Sequence, residues 1–162
     1  MIDSRNEWDP LEKIVVGSAS HANWPTKDPV FALESEKTSW KGSPVPTGPV
    51  EQFVVDQANR ELDTLAETLL REGAIVYRPK PLNFVELEGM YNYCPRDRLL
   101  VAGSTVVDVN MMYPCRNQEI KGLYRLLAEA NNILTMPRQA TERHGPMAVS
   151  YTHLTLPTKR IV

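Results

Sequence analysis

No part of the chain restricts the fold as tightly as residues 98 to 109, which read RLLVA-GS-TVVDV. Two apolar, β-branched runs flank a Gly-Ser pair. Glycine at the first central position of a two-residue turn supplies the positive φ that a tight hairpin requires. Pairing outward from that turn sets Ala102 against Thr105, Leu99 against Asp108 and Asp97 against Asn110. The charged stretch PRDR (95 to 98) and the stretch NMMYPCRNQE (110 to 119) are therefore expected at the open end of one hairpin. A carboxylate in such a place can accept two parallel hydrogen bonds from a planar guanidinium. It can equally pair with Arg96 or Arg98 and sit solvated at a strand end, as most charged residues do.

The rest of the pattern is α/β. LEKIVVG (11 to 17) reads as a short strand closed by glycine. Residues 18 to 49 are polar and broken by five prolines, so they read as a long loop carrying the isolated Trp24 and Trp40. A helix is predicted between Pro49 at its first position and Gly73 at its stop, with Val54, Ala58, Leu62, Leu65 and Leu69 on its buried face. AIVYRP (74 to 79) reads as a strand. Pro114 starts a second helix that carries Ile120, Leu123, Leu127 and Ala130 on one side, and NNILTMP (131 to 137) reads as a turn and a strand. On that helix Arg116 and Glu119 stand three apart, the spacing of a routine surface pair. Met111 reads as packing. The order strand, helix, strand, then strand, strand, helix, strand is a near-repeat of βαβ-like pieces. Such units need neighbours to cover their apolar faces.

At 162 residues and a net charge of -2, the chain has the size of one domain and no general attraction for nucleic acid or anionic membrane. No stretch reaches the length of a membrane span, and the polar N-terminus is unlike a secretory signal. Cys94 and Cys115 have no metal-ligand spacing and no disulfide context, so a reduced, cytoplasmic protein without metal or cofactor is expected. The last stretch, VSYTHLTLPTKRIV (149 to 162), has neither period. Val149 to Leu154 can be encoded by GTC TCT TAT ACA CAT CTN, which resembles a transposase adapter used in sequencing libraries. Residues 1 to 148 are accordingly expected to be the natural domain, and 149 to 162 a non-native tail behind which the gene was cut.

Three stretches together carry more than any one alone. NEWDPLEKIVVG (6 to 17), Y-x-x-x-P-R-D (91 to 97) and M-x-x-x-x-R-x-x-E (111 to 119) resemble, in that order, the N-terminal portion of glycine amidinotransferase and its bacterial relatives. The resemblance covers most of residues 5 to 137. It implies a partial five-bladed α/β propeller, of the guanidino-group-modifying superfamily, built from ββαβ units of which roughly two are present. It also implies a substrate site in which Asp97 binds the guanidinium of the donor and Tyr91 lines the cavity. Arg96, Arg116 and Glu119 match residues that shape the site, and the hairpin geometry adds Asn110. The activity implied is ping-pong transfer of an amidino group from L-arginine to an amine such as glycine through a cysteine-bound intermediate. The resemblance thus implies a parent enzyme acting on small molecules, with a homodimer allowed. The nucleophilic cysteine and its histidine are expected beyond Ala148, which leaves this chain inactive by itself. Neither Cys94, Cys115, His21 nor His144 matches them. An arginine deiminase or dihydrolase and a non-catalytic guanidino-binding module stay open, although NEWDPLE favours the transferase.

Overall fold

The computed structural model describes residues 2–6, 8–37 and 44–136. Glu7 of the first motif, Trp40, His144 and the tail from 149 to 162 lie outside the described residues. Strand β1 (Lys13–Val15) pairs in parallel with β4 (Ile75–Tyr77), and the long helix α2 (Gln52–Arg71) connects them in sequence. Strands β2 (Asn23–Trp24) and β3 (Gly48–Pro49) form a small antiparallel pair, with helix α1 (Pro29–Lys37) between them in the chain. One helical turn, α3 (Pro95–Arg98), leads into β5 (Leu99–Ala102), β6 (Thr105–Asp108), a 3₁₀-helix (Pro114–Gly122), α4 (Tyr124–Leu127) and β7 (Asn132–Thr135). The three strands form a sheet in the order β5-β6-β7, antiparallel then parallel. Among the described residues no helix is long and apolar enough to cross a membrane.

The hairpin takes the register its turn demands. Leu99 faces Asp108 and Ala102 faces Thr105, and Gly103 has φ of 57°. The ladder stops at Leu99 on the β5 side, so Asp97 and Asn110 do not pair as strand neighbours. Pro95 stands at the start of a helical turn, and its fixed φ suits that place. The turn carries Asp97 off the line of the strand, although Val109 still donates its N–H to the carbonyl of Arg98 at 3.0 Å.

Three other expectations are corrected. The supposed loop from 18 to 49 contains α1, because Asp28 caps it: one carboxylate oxygen accepts the N–H groups of Val30 and Phe31 at 2.9 and 3.1 Å. Pro49 lies in β3, and α2 begins three residues later at Gln52. The buried side of α2 is Val55, Ala58, Asn59, Leu62, Ala66 and Leu69, so Val54 and Leu65 face out. A polar contact fixes this rotation, since Asn59 Oδ1 accepts the Ala19 N–H at 2.9 Å while Val55 packs on Ala19 and Ala22. Gly73 (φ 90°) ends the helix, as expected. The segment from Pro114 is helical but of the 3₁₀ type.

The main core lies between the β5-β6-β7 sheet and the helices that follow β6. Val106, Ile120, Leu123, Leu126 and Leu127 are buried there, with Val15 and Tyr77 of the other sheet against them. Full burial of one such side chain contributes about 1.5–3 kcal/mol. A second close approach joins the two halves. A Cβ on Gly17 would lie 2.0 Å from the Tyr93 carbonyl oxygen and 2.6 Å from that of Asn92. The Ser18 N–H donates to the Asn92 carbonyl at 2.9 Å. The end of β1 thus straps down the segment that carries Tyr91.

Gly17→Ala must push that backbone away. It should lower stability by at least about 1–3 kcal/mol in urea denaturation; an unchanged midpoint would show that the approach is unimportant. The outer strand β7 is exposed along its length, including Ile133 and Leu134, and Met136 just beyond it is exposed too. An apolar edge of this kind invites pairing with another chain. Sedimentation velocity should show self-association that Leu134→Lys suppresses, whereas a monomer at every concentration would contradict the reading.

Candidate functional site

Five charged side chains meet where α3 faces the 3₁₀-helix. Pro114 opens the latter, and the Arg116 N–H donates to the Tyr113 carbonyl at 2.9 Å, closing its first turn. Three residues later Glu119 comes round to the same side. Arg116 Nε donates to Glu119 Oε1 at 2.6 Å and Nη2 donates to Oε2 at 3.0 Å, a side-on bidentate contact. Its remaining edge turns to α3, where Nη1 donates to Asp97 Oδ2 at 3.0 Å. The guanidinium carbon stands 5.2 Å from the centre of the Tyr91 ring, within cation–π range. Behind this group Arg98 Nη2 lies 2.6 Å from Asp108 Oδ1, and Arg98 Nη1 donates to Asn117 Oδ1 at 3.3 Å. The Arg98–Asp108 approach is an ion pair whose angle departs from the hydrogen-bond direction.

Burial separates the roles. The side chains of Glu119 and Arg98 are 1% and 2% exposed, and that of Arg116 is 9% exposed. Asp97 reaches solvent with 23% of its side chain. The Arg116 guanidinium faces two carboxylates, Asp97 and Glu119, with Arg98 close behind. Electrostatics follow from that arrangement. Burial pushes the Glu119 carboxyl up to about 7, against the downward pull of Arg116 and Arg98 and with Asp97 adding to the rise. Burial opposes the charge of Arg116, but Glu119, Tyr91 and Asp97 carry its pKa above the ordinary arginine range. Both directions say that this cluster holds protons tightly, as an anion-rich buried group should.

The structure therefore brings together Asp97, Tyr91, Arg116 and Glu119. Arg116 and Glu119, three apart as expected, form a buried pair and not a surface one. Arg96 is exposed and Asn110 half-buried. Among the described residues neither makes a side-chain hydrogen bond or ion pair. Two participants were not anticipated. Arg98 ties to Asp108, and Asp28 reaches across from α1 to accept the Cys115 N–H at 2.7 Å. Asp28 is thus both a helix cap and an anchor for the residue before Arg116; the Asp-Pro step at 28 and 29 was its available signal. The Phe31 ring packs edge-on to Tyr113 at 5.6 Å and close to Met90 and Cys115.

Neither cysteine is set up as a thiolate. Burial and then the Asp97 charge raise the pKa of Cys94. Burial and the Asp28 side chain raise that of Cys115 far more. Reactive thiols need the opposite, an electropositive and accessible setting. Among the described residues no three His, Cys, Asp or Glu side chains are grouped to hold a metal ion.

Replacing Arg116 by methionine leaves Asp97 and Glu119 facing each other without their shared cation. Breaking a buried pair in this way should cost about 3–5 kcal/mol, read as a lower urea midpoint. A change near zero would place the guanidinium in solvent, not in the cluster.

No family model matches the chain. Individual relatives do. It is 32% identical to inosamine-phosphate amidinotransferase 1 of Streptomyces griseus over 96% of this chain and 49% of that protein. It is 29% identical to the mitochondrial glycine amidinotransferase of Gallus gallus, over 80% and 33% of the two chains. The solved structure of the Streptomyces griseus inosamine-phosphate amidinotransferase superposes with a TM-score of 0.77 at 29% identity, covering 87% of this chain and 44% of that one. The chain spans about half the length, or less, of the relatives it matches. In sequence and in fold it is a homologue of the amidinotransferases.

Proposed function

We propose that the chain supplies the guanidinium-holding part of an enzyme that moves the amidino group of L-arginine to an amine acceptor. What carries this reading is the position of Asp97. It stands at the solvent edge of the buried Arg116–Glu119 pair, near the Tyr91 ring. A second guanidinium placed there would use the flat, directional hydrogen bonding of a carboxylate. The internal contact of Asp97 and Tyr91 with Arg116 supports this reading, since both side chains already meet a guanidinium.

The chemistry of the whole enzyme follows from the homologues as a proposal. A cysteine thiolate attacks the guanidinium carbon, the carbon–nitrogen bond to the leaving amine breaks, and ornithine departs with a proton. The amidino group stays on sulfur. The nitrogen of an acceptor amine, glycine or an inosamine derivative among the candidates, then attacks the same carbon, expels the thiolate and gives up a proton to a base. The high thiol pKa values of Cys94 and Cys115 assign neither to the attack, so this chain's part is to bind and orient. The relatives being amidinotransferases, the hydrolase reading is not favoured. The ββαβ order of β5, β6, the helices and β7 supports extending the fold to a five-bladed propeller.

In the full-length enzyme Asp97→Asn should raise KM for L-arginine by roughly ten- to a hundredfold, the loss of a charge-assisted contact worth about 1.5–3 kcal/mol. Calorimetric titration of arginine into the wild-type and variant proteins checks the same contact without turnover. Equal affinities would remove Asp97 from the ligand shell.

A further inference from the structure

The segment that carries Tyr91 carries a second tyrosine, whose ring lies outside the buried clusters. Between the two, Asn92 turns the other way. It is 4% exposed, and a Cβ on Gly122 would lie 2.2 Å from its Nδ2. Asn92 also bridges Ser18 in antiparallel fashion, so the chain is extended there and successive side chains alternate sides. Tyr91 and Tyr93 therefore share one side, and their rings meet edge-on, with centroids 6.4 Å apart at 82°. We propose that Tyr93 is a specificity-determining residue of the site described above. Its exposed ring forms a side wall on which the methylene stem of an arginine-like donor packs, while the guanidinium lies at Asp97 and Tyr91. This inference rests on the assignment of that site to a guanidinium donor.

A single exposed tyrosine is ordinary on a protein surface. Tyr93 differs in how firmly it is held. Its carbonyl oxygen would lie 2.0 Å from a Cβ on Gly17, so its backbone is pressed against the end of β1. Directly after it, the Cys94 carbonyl accepts the Asp97 N–H at 3.1 Å and closes the α3 turn. Yet 43% of Tyr93 is open to solvent. A ring fixed from behind and bare in front takes up a ligand with little ordering cost. The stretch from 91 to 97 also curls round one small space. Tyr91 senses the charges of Arg116 and Asp97, and so does Cys94.

The chemistry of the donor divides in the same way. A carboxylate and an aromatic face recognise the flat cation, and they do so for any guanidinium. The three methylenes of arginine are apolar and gain only from an apolar surface. Tyr91 is already engaged, with Arg116 at 5.2 Å from its ring centre and with packing in the clusters around Val55 and Phe31. Tyr93 supplies the apolar surface beside it.

The test is calorimetric titration of L-arginine into the wild-type protein, Tyr93→Phe and Tyr93→Ala, with urea denaturation of all three. The expected result is roughly tenfold weaker binding in Tyr93→Ala, as for half-covering three methylenes. Tyr93→Phe keeps the ring and should keep the wild-type affinity, and the three urea midpoints should agree. Wild-type affinity in Tyr93→Ala overturns the proposal while leaving Asp97 as the ligand carboxylate. A loss in Tyr93→Phe as large as in Tyr93→Ala overturns it too, because the hydroxyl would then be the contact. Absence of arginine binding to the wild type overturns the reading of the site itself. If Tyr93→Ala is destabilised or does not fold, NMR of the arginine-saturated wild type decides, with the Tyr93 ring signals assigned by their loss in Tyr93→Phe. Nuclear Overhauser contacts from that ring to the arginine methylenes support the proposal, and their absence rejects it.

Discussion

One guanidinium shared by two carboxylates is the constraint around which this structure is organised. Taking such groups out of water costs several kcal/mol per ion, and only close, well-directed hydrogen bonds recover that cost. Arg116 meets the requirement through all three of its nitrogens. The result is less a source of stability than a fixed geometry. It binds α3 to the 3₁₀-helix, two pieces joined in sequence by a hairpin whose far end lies away from them. The Arg98 contacts to Asp108 and Asn117 make a second tie between the same elements. Asp97 is held from behind while its other side reaches solvent.

The scaffold serves that geometry with contacts that leave no spare room. The end of β1 lies so close to residues 92 and 93 that only glycine fits at 17. Gly122 meets the Asn92 side chain in the same way: an added Cβ would lie 2.2 Å from its Nδ2 and 3.0 Å from the Lys80 carbonyl oxygen. Lys80 returns a hydrogen bond to the Gly122 carbonyl at 2.8 Å. Tyr91 therefore sits on a segment clamped from two sides, and its ring joins the cluster around Val55 to the cluster around Phe31. Asp28 completes the frame by joining the cap of α1 to the start of the 3₁₀-helix. This stretch is what the chain shares with both inosamine-phosphate and glycine amidinotransferases.

Local chemistry explains what was legible in the sequence. The hairpin register followed from Gly103 and from alternating apolar residues, and it holds from Leu99 to Asp108. The helix stop at Gly73 and the buried row of Ile120, Leu123 and Leu127 were legible for the same reason. The rotation of α2 was not. Val54 and Val55 are adjacent, as are Leu65 and Ala66, so periodicity fits two faces, and the choice rests on Asn59 meeting a backbone amide from a distant loop. The site was half legible. Spacing paired Arg116 with Glu119 but said nothing of burial, which depends on what packs above them. Asp97 was expected opposite Asn110 because the strand pairing was carried back to it; one helical turn sends it to Arg116.

Diffraction from crystals of the protein soaked with L-arginine tests the central claim most directly. The account predicts a guanidinium group in contact with the Asp97 carboxylate near the Tyr91 ring, with Arg116 still bound through two nitrogens to Glu119. Arginine bound elsewhere, or an Arg116 side chain displaced from Glu119 by the ligand, would contradict it.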